Sequence, residues 1–251
     1  MKAGQIMRLG DHRLACGSAT DPGLVQRLVG SDHIAMLLCD PPYGISYVES
    51  KQGIAQLAKQ KVIANDDITD DVAYQQFTSD WLQVVKPYLT AKNSVYIFNS
   101  DKMLIPTVQA LRVTGGKFAQ MLIWAKTHAV LGRLDYLPQH ELVVYGWYGT
   151  HAFGKSKDKS ILIYPRPNKS KLHPTMKPVG LLRRLILNSS KVGNVVYDGF
   201  GGSGSTLMAC EQTKRQCLMV ELDPEYCQTI ITRWQKLTGR VAELEDSHED
   251  C

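Results

Sequence analysis

Apolar positions in this chain fall into two recurring patterns. Short unbroken runs at residues 34–38, 94–98, 120–124, 141–145, 194–197 and 216–221 read as strands, several buried on both faces. Between them the spacing changes to a helical period. Val72, Phe77, Trp81, Leu82 and Val85 place a helix over residues 70–85, stopped by Lys86-Pro87. Residues 22–29 form another, with Asp21 as N-cap and Pro22 at the first helical position. Further helices are expected over 103–112, from 173 to about 189, over 205–212 and over 224–237. Residues 11–15 and 161–164 read as additional short strands. The alternation of strand and helix predicts an α/β protein with a mostly parallel sheet. Residues 45–69 lack periodicity and are rich in Lys and Gln, so a mobile loop with one helical turn is expected there.

Length and composition narrow this picture. A chain of 251 residues suits one large α/β domain or two small ones; the continuous alternation favours one. The amino terminus has no apolar h-region, and no run is long enough to span a bilayer. Six cysteines are scattered without a Cys-x-x-Cys pair, which argues against a zinc site or disulfide framework and for a reducing cytoplasm. No ligand spacing suggests any other metal. The net charge of +5 permits a polyanionic partner without demanding one. Its distribution says more. Lys155, Lys157, Lys159, Arg166, Lys169 and Lys171 crowd one segment, while residues 240–251 are acidic and read as a poorly ordered tail. The basic cluster is either a solvated face or a nucleic-acid contact.

Two loops carry the candidate chemistry. The run ending at Cys39 passes into Asp40-Pro41-Pro42-Tyr43. Neither proline can donate to a ladder, so the chain leaves the sheet stiffly at a strand's carboxyl end, where open α/β sheets bind ligands. A carboxylate, a proline carbonyl and an aromatic face there can grip a planar group bearing an NH2; the bland reading is a tight turn with a capping Asp. The second loop, Asp198-Gly199-Phe200-Gly201-Gly202-Ser203-Gly204, follows a strand, opens a helix and has Glu221 at the end of the next strand. That is the context of the G-x-G-x-x-G dinucleotide fingerprint, and alone it says NAD. Three features argue otherwise. Only one strand follows the loop, so the amino-terminal half must complete the sheet. The Asp40 loop has no task in hydride transfer. Thr175 and Lys177 start the helix before the glycine strand, and a helix amino terminus with a lysine suits a carboxylate. S-adenosylmethionine (AdoMet) has a carboxylate, ribose and adenine but no pyrophosphate.

Together these segments resemble the amino-methylating DNA methyltransferases of the circularly permuted β group, in which the Asp-Pro-Pro-Tyr motif precedes the AdoMet-binding glycine motif. The resemblance runs from Gly10 to Trp234 and includes Leu122 to Lys126, Gln139-His140-Glu141, the His173-Pro174-Thr175-Met176-Lys177-Pro178 motif, Asp198 to Thr206 and Glu221-Leu222-Asp223. It implies a Rossmann-like fold with helices on both faces. It implies Asp40, Pro41, Pro42 and Tyr43 as catalytic residues. Cofactor contacts are implied at Ser18, Ala19, His173, Thr175, Lys177, Asp198, Phe200, Gly201, Gly202, Ser203, Gly204, Ser205, Thr206 and Glu221. Gly199 replaces the family's usual proline and Ser205 a usual threonine. Ser18 stands where an Asp often contacts the adenine, so that contact passes to the backbone nearby. Residues 147–172 would be a short target-recognition insertion, with residues 45–69 a loop facing DNA. The sequence looks like the small stand-alone methylases of phages and prophages.

The implied partner is double-stranded DNA, with a second copy of the chain another candidate. The target base must be flipped out to expose its exocyclic amine. Asp40 and the Pro41 carbonyl would accept its two N–H groups while Tyr43 stacks on the ring. Asp at the first motif position marks mostly adenine-N6 enzymes, so adenine is expected and cytosine N4 is the alternative. An NAD-dependent oxidoreductase and a non-catalytic nucleic-acid binder remain the other classes to separate.

Overall fold

A computed structural model describes residues 1–42, 70–129, 135–154, 157–166 and 176–245. The local rules hold where caps announce them. Helix α1 (Pro22–Val29) begins where Asp21 Oδ1 accepts from the amides of Gly23 and Leu24, at 2.9 and 3.1 Å. Helix α2 (Asp71–Val85) is capped by Asp70, which accepts from Ala73 N. Helix α3 (Leu104–Val113) follows a strand, and α4 (Val179–Ser189), α5 (Ser205–Thr213) and α6 (Pro224–Thr238) belong to the carboxyl-terminal half.

Among the described residues eleven strands form the sheet: β1 (Ile6–Leu9), β2 (His12–Cys16), β3 (Ile34–Cys39), β4 (Leu89–Asn99), β5 (Lys117–Ala125), β6 (His140–Trp147), β7 (Thr150–His151), β8 (Ile161–Ile163), β9 (Val195–Asp198), β10 (Gln216–Glu221) and β11 (Glu243–Glu245). Their order is β11-β1-β2-β10-β9-β3-β4-β6-β5-β8, with β7 beside β4. The centre, β2-β10-β9-β3-β4, is parallel throughout. Antiparallel pairs flank it on both sides. The late strands β9 and β10 therefore lie between strands of the amino-terminal half, as the position of the glycine loop requires.

Every residue of β3 and β9 is buried, because both faces of the centre are covered. Leu24, Leu28, Trp81, Leu82 and Leu111 from α1, α2 and α3 pack on one face. Leu182, Ile186, Leu207, Ile230 and Trp234 from α4, α5 and α6 pack on the other. From β9 the chain winds through α5 to β10 on one side; from β3 it passes to α2 and then to β4 on the other. The sheet thus has its topological switch point between β3 and β9.

Several expectations are corrected. Helix α4 starts at Val179, with Pro178 as its N-cap, so the stretch from Met176 to Lys177 is extended chain rather than first helical turn. Proline fixes its own φ and disfavours helical geometry in the residue before it. Trp147 closes β6 and β7 lies within the expected insertion, so that segment holds sheet beyond β8, which falls on the strand expected at 161–164. Nor is residue 240 the start of a loose tail. Glu243 to Glu245 pair with β1, with Glu243 on Arg8 at 2.6 Å and Glu245 on Arg13 Nε at 2.7 Å. The expected loop at 45–69 lies outside the described residues.

Arg13 does a second task. Its two terminal nitrogens donate to the carbonyls of Arg27 and Leu28, which the end of α1 leaves without helical partners. Arg13→Met should therefore cost about 2 kcal/mol, since hydrogen bonds to charged groups are worth roughly 1.5–3 kcal/mol. Urea unfolding should show the lower midpoint at an unchanged m-value; an unshifted midpoint would remove Arg13 from the account of α1.

Candidate active site

Both candidate loops emerge at the switch point. Asp40 directly follows β3, and Asp198 ends β9, its immediate neighbour in the sheet. Glu221 ends β10, the next strand along. Gly17 follows β2 and donates to the Glu221 carbonyl at 2.9 Å, which draws Ser18 and Ala19 to the same rim. Three carboxylates thus sit at the ends of three adjacent parallel strands. Asp198 and Glu221 are buried. Burial pushes the Asp198 carboxyl up to about 7, and the negative charges of Asp40 and Glu221 add to the effect against the bonds from Thr206 and the Phe200 amide. Burial also raises Glu221 to about 7, despite hydrogen bonds from backbone amides.

The glycine loop is engaged with the protein itself. Phe200 N donates to Asp198 Oδ1 at 3.0 Å, Gly201 N to the Val220 carbonyl at 2.8 Å, Gly202 N to Glu221 Oε2 at 2.6 Å and Gly204 N to the Gly201 carbonyl at 2.7 Å. Asp223 N takes the other Glu221 oxygen at 2.8 Å. A Cβ on Gly201 would lie 2.8 Å from Met219 Sδ, so a larger residue there would displace that side chain. Gly204 takes φ +80°, left-handed backbone that an L side chain rarely adopts. Phe200 packs edge-on against Trp81 of α2, with ring centroids 5.5 Å apart, which ties the glycine loop to the helix before β4. A pyrophosphate needs loop amides and positive charge. In this loop the amides of Phe200, Gly201, Gly202 and Gly204 are already bonded, and acids lie beside them.

Opposite charge reaches the crevice from the far strands. Lys177 Nζ lies 2.5 Å from Asp40 Oδ2 and 3.1 Å from Glu141 Oε2, and Lys126 Nζ lies 2.8 Å from Glu141 Oε1. Burial alone would raise Glu141, but Lys177 and Lys126 overcome it and hold that carboxyl below its usual range. Burial alone would lower Lys177, and Asp40 and Glu141 reverse that too. The ammonium expected to meet a cofactor carboxylate at a helix start is therefore turned towards Asp40 and Glu141. Lys126 and Glu141 stand in the sequence as members of the two family-like segments, Leu122 to Lys126 and Gln139-His140-Glu141, with nothing local to pair them. The register that pairs Trp124 with Glu141 makes them neighbours.

Ser203, Ser205 and Thr206 are buried beneath the loop. Of the basic cluster, Lys157, Lys159 and Arg166 are exposed. Arg166 follows the carboxyl end of β8, the end of the sheet where Asp40 lies; Lys157 and Lys159 precede that strand. Asp158 between them is clasped by Arg184 and Asn188 of α4, at 2.9 and 2.6 Å. Tyr43, Lys155, Lys169, Lys171, His173 and Thr175 lie outside the described residues.

The model of the DNA methylase family N6_N4_Mtase matches residues 34–232, from β3 into α6. The chain belongs to this DNA methylase family. The Type II methyltransferase M.HpaI of Haemophilus parainfluenzae is 24% identical over 242 residues, covering 86% of this chain and 72% of that protein. The Type II methyltransferase M2.DpnII of Streptococcus pneumoniae is 25% identical over 214 residues, covering 76% and 78%. Among solved structures, the cytosine-N4-specific PvuII DNA methyltransferase matches with a TM-score of 0.69 at 15% identity, over 90% of this chain and 89% of that one. The complex of M1.HpyAVI with SAM matches at 0.65 and 20% identity, over 88% and 98%. These two likenesses establish the shared methyltransferase fold. No described helix of this DNA methylase is long and apolar enough to cross a membrane.

The raised carboxyls make stability depend on pH. Their protonated forms favour the folded state, so the contribution is complete below about pH 4, the unfolded value, and is lost as pH rises to about 7. Within that window the native protein binds more protons than the unfolded chain, and stability falls by up to ~1.4 kcal/mol per pH unit per group. Asp198→Asn should therefore gain on the parent protein as pH rises from 4.5 to 7.5 in ligand-free urea titrations. A stability difference independent of pH would show that Asp198 is not held protonated.

Proposed function

We propose that this DNA methylase transfers the methyl group of AdoMet to the exocyclic N6 of an adenine flipped out of double-stranded DNA. The observation that carries the cofactor assignment is the convergence of Asp40, Asp198 and Glu221 around a glycine loop whose own amides are engaged. AdoMet bears a sulfonium, an ammonium and one carboxylate, and asks for no pyrophosphate cradle. NAD brings a dianionic pyrophosphate, and the amides of Phe200 and Gly202 that would meet it already donate to Asp198 and Glu221. The oxidoreductase reading of the glycine pattern is thereby disfavoured.

Glu221 would accept the ribose hydroxyls, with the segment from Asp198 to Thr206 and the Ser18-Ala19 turn lining the rest of the cofactor site. When bound, AdoMet supplies the electrophilic methyl. The chain's own residues then have to present the nucleophile. An exocyclic amine is weak because its lone pair is delocalised into the ring. Asp40 and the Pro41 carbonyl, stiffened by two successive prolines, each take one N–H and leave the lone pair directed at the methyl. Alignment of this kind is worth roughly 7–11 kcal/mol in favourable cases. Adenine is preferred because Asp40, a carboxylate, holds the first motif position; cytosine N4 offers a similar amine and is the alternative product.

The decisive experiment incubates the protein with AdoMet and duplex DNA and analyses the nucleosides by mass spectrometry. N6-methyladenine is expected, and it should vanish in Asp40→Ala while AdoMet binding stays within a few-fold. N4-methylcytosine alone would overturn the adenine assignment, and no methylated base at all the enzymatic reading.

The exposed basic residues around β8 supply the backbone contacts in this reading. Replacing Lys157 and Lys159 with Ala should flatten the slope of log affinity against log salt by up to ~0.9 per lost phosphate contact. An unaltered slope would make these lysines a solvated face and leave Arg166, nearer the Asp40 end, as the contact to test.

A further inference from the structure

Behind Asp40 lies a chain of four charges, contributed by four separate segments. Lys126 follows β5, Glu141 is the second residue of β6, Lys177 stands in the extended stretch before α4, and Asp40 follows β3. Their signs alternate: Lys126 to Glu141 at 2.8 Å, Glu141 to Lys177 at 3.1 Å, Lys177 to Asp40 at 2.5 Å. The lysine side chains are only 7% and 6% exposed, Glu141 19% and Asp40 24%, so the chain opens to solvent most at the Asp40 end. Each ammonium also stands over an aromatic ring, Lys126 over Trp124 at 5.1 Å and Lys177 over Phe98 at 5.2 Å.

Stability alone does not explain such an arrangement. Desolvating four charges costs more than one buried pair would, and apolar groups of similar volume often serve a core better. A single lysine would suffice to neutralise Asp40. What the extra pair adds is direction. Glu141 holds Lys177 from the side away from Asp40, and Lys126 neutralises Glu141, so the Lys177 ammonium has one place to stand and the Asp40 carboxylate one oxygen fixed against it.

We propose that Glu141 and Lys126 are positioning residues which, acting through Lys177, set the orientation of the Asp40 carboxylate for the target amine. This rests on the methyl-transfer reading above. Neither residue contacts DNA or cofactor in this scheme; they act at second hand on the geometry in which Asp40 accepts its N–H.

The test uses the full chain and compares single-turnover methyl transfer with AdoMet affinity. Glu141→Gln keeps the shape of the side chain and removes its charge. It should lower the transfer rate at saturating AdoMet and duplex DNA by tenfold or more, while the AdoMet dissociation constant and the KM for DNA stay within about twofold. In a Lys177→Met background the same substitution should cause no further loss, because the route to Asp40 is already cut. Lys126→Met should repeat the Glu141→Gln effect in weaker form, and Lys126→Arg should restore most of the rate. Thermal melting and AdoMet binding confirm that each variant is folded; if Glu141→Gln is not, the Lys126 pair carries the test. A folded Glu141→Gln or Lys126→Met protein with an unchanged rate overturns the proposal, as does a loss that multiplies with Lys177→Met or that falls equally on AdoMet binding. These failures presuppose an active parent protein. A parent that methylates nothing instead overturns the activity reading, and this proposal with it.

Discussion

Like charge gathered at one crevice is the constraint around which this protein is arranged. The parallel centre brings the carboxyl ends of β3, β9 and β10 side by side, and each ends on or beside an acid: Asp40, Asp198, Glu221. Left alone, three carboxylates so placed would repel one another and resist burial. The protein answers in two ways. Backbone amides of the glycine loop turn inward to Asp198 and Glu221. A lysine anchored from two other segments serves Asp40.

The topology places the two answers on opposite sides of the switch point. Helix α5 and β10 lie on one side, where Asp198 and Glu221 are held by backbone amides. On the other side β4, β6 and β5 carry the chain towards Glu141 and Lys126, which reach Asp40 only through Lys177. Across the switch point β3 pairs with β9, and Phe200 packs against Trp81 and Phe77, joining the glycine loop to the helix that precedes β4.

Much of this could be read from the chain itself. Helix α1 falls on the predicted residues because Asp21, Pro22 and Gly30 are local signals that need no partner. Strand β3 was legible because burial on both faces leaves an unbroken apolar run. The failures share one cause, dependence on distant residues. Strand β11 is short and polar, and its sheet partner is β1, more than two hundred positions away. Lys177, just before α4, contacts Asp40 and Glu141 from distant segments. No periodicity encodes that contact. Asp40 was singled out by its prolines; the three residues behind it carry no local pattern that assigns them to it.

The glycine loop shows the same limit from the opposite direction. Its spacing satisfies the dinucleotide fingerprint, with a strand before it, a helix after it and an acid at the next strand end. Spacing records where a backbone can approach a ligand closely. It does not record where the amides point. Here Gly202 N is bonded to Glu221 and Phe200 N to Asp198, so the groups that would cradle a pyrophosphate instead hold two acids in place. The same glycines thus leave their amides for an anion or turn them onto side chains, according to whether a carboxylate lies within reach of the loop. In this protein that is decided by Asp198 at the loop's first position and by Glu221 a strand away, where its carboxylate can turn back onto the loop.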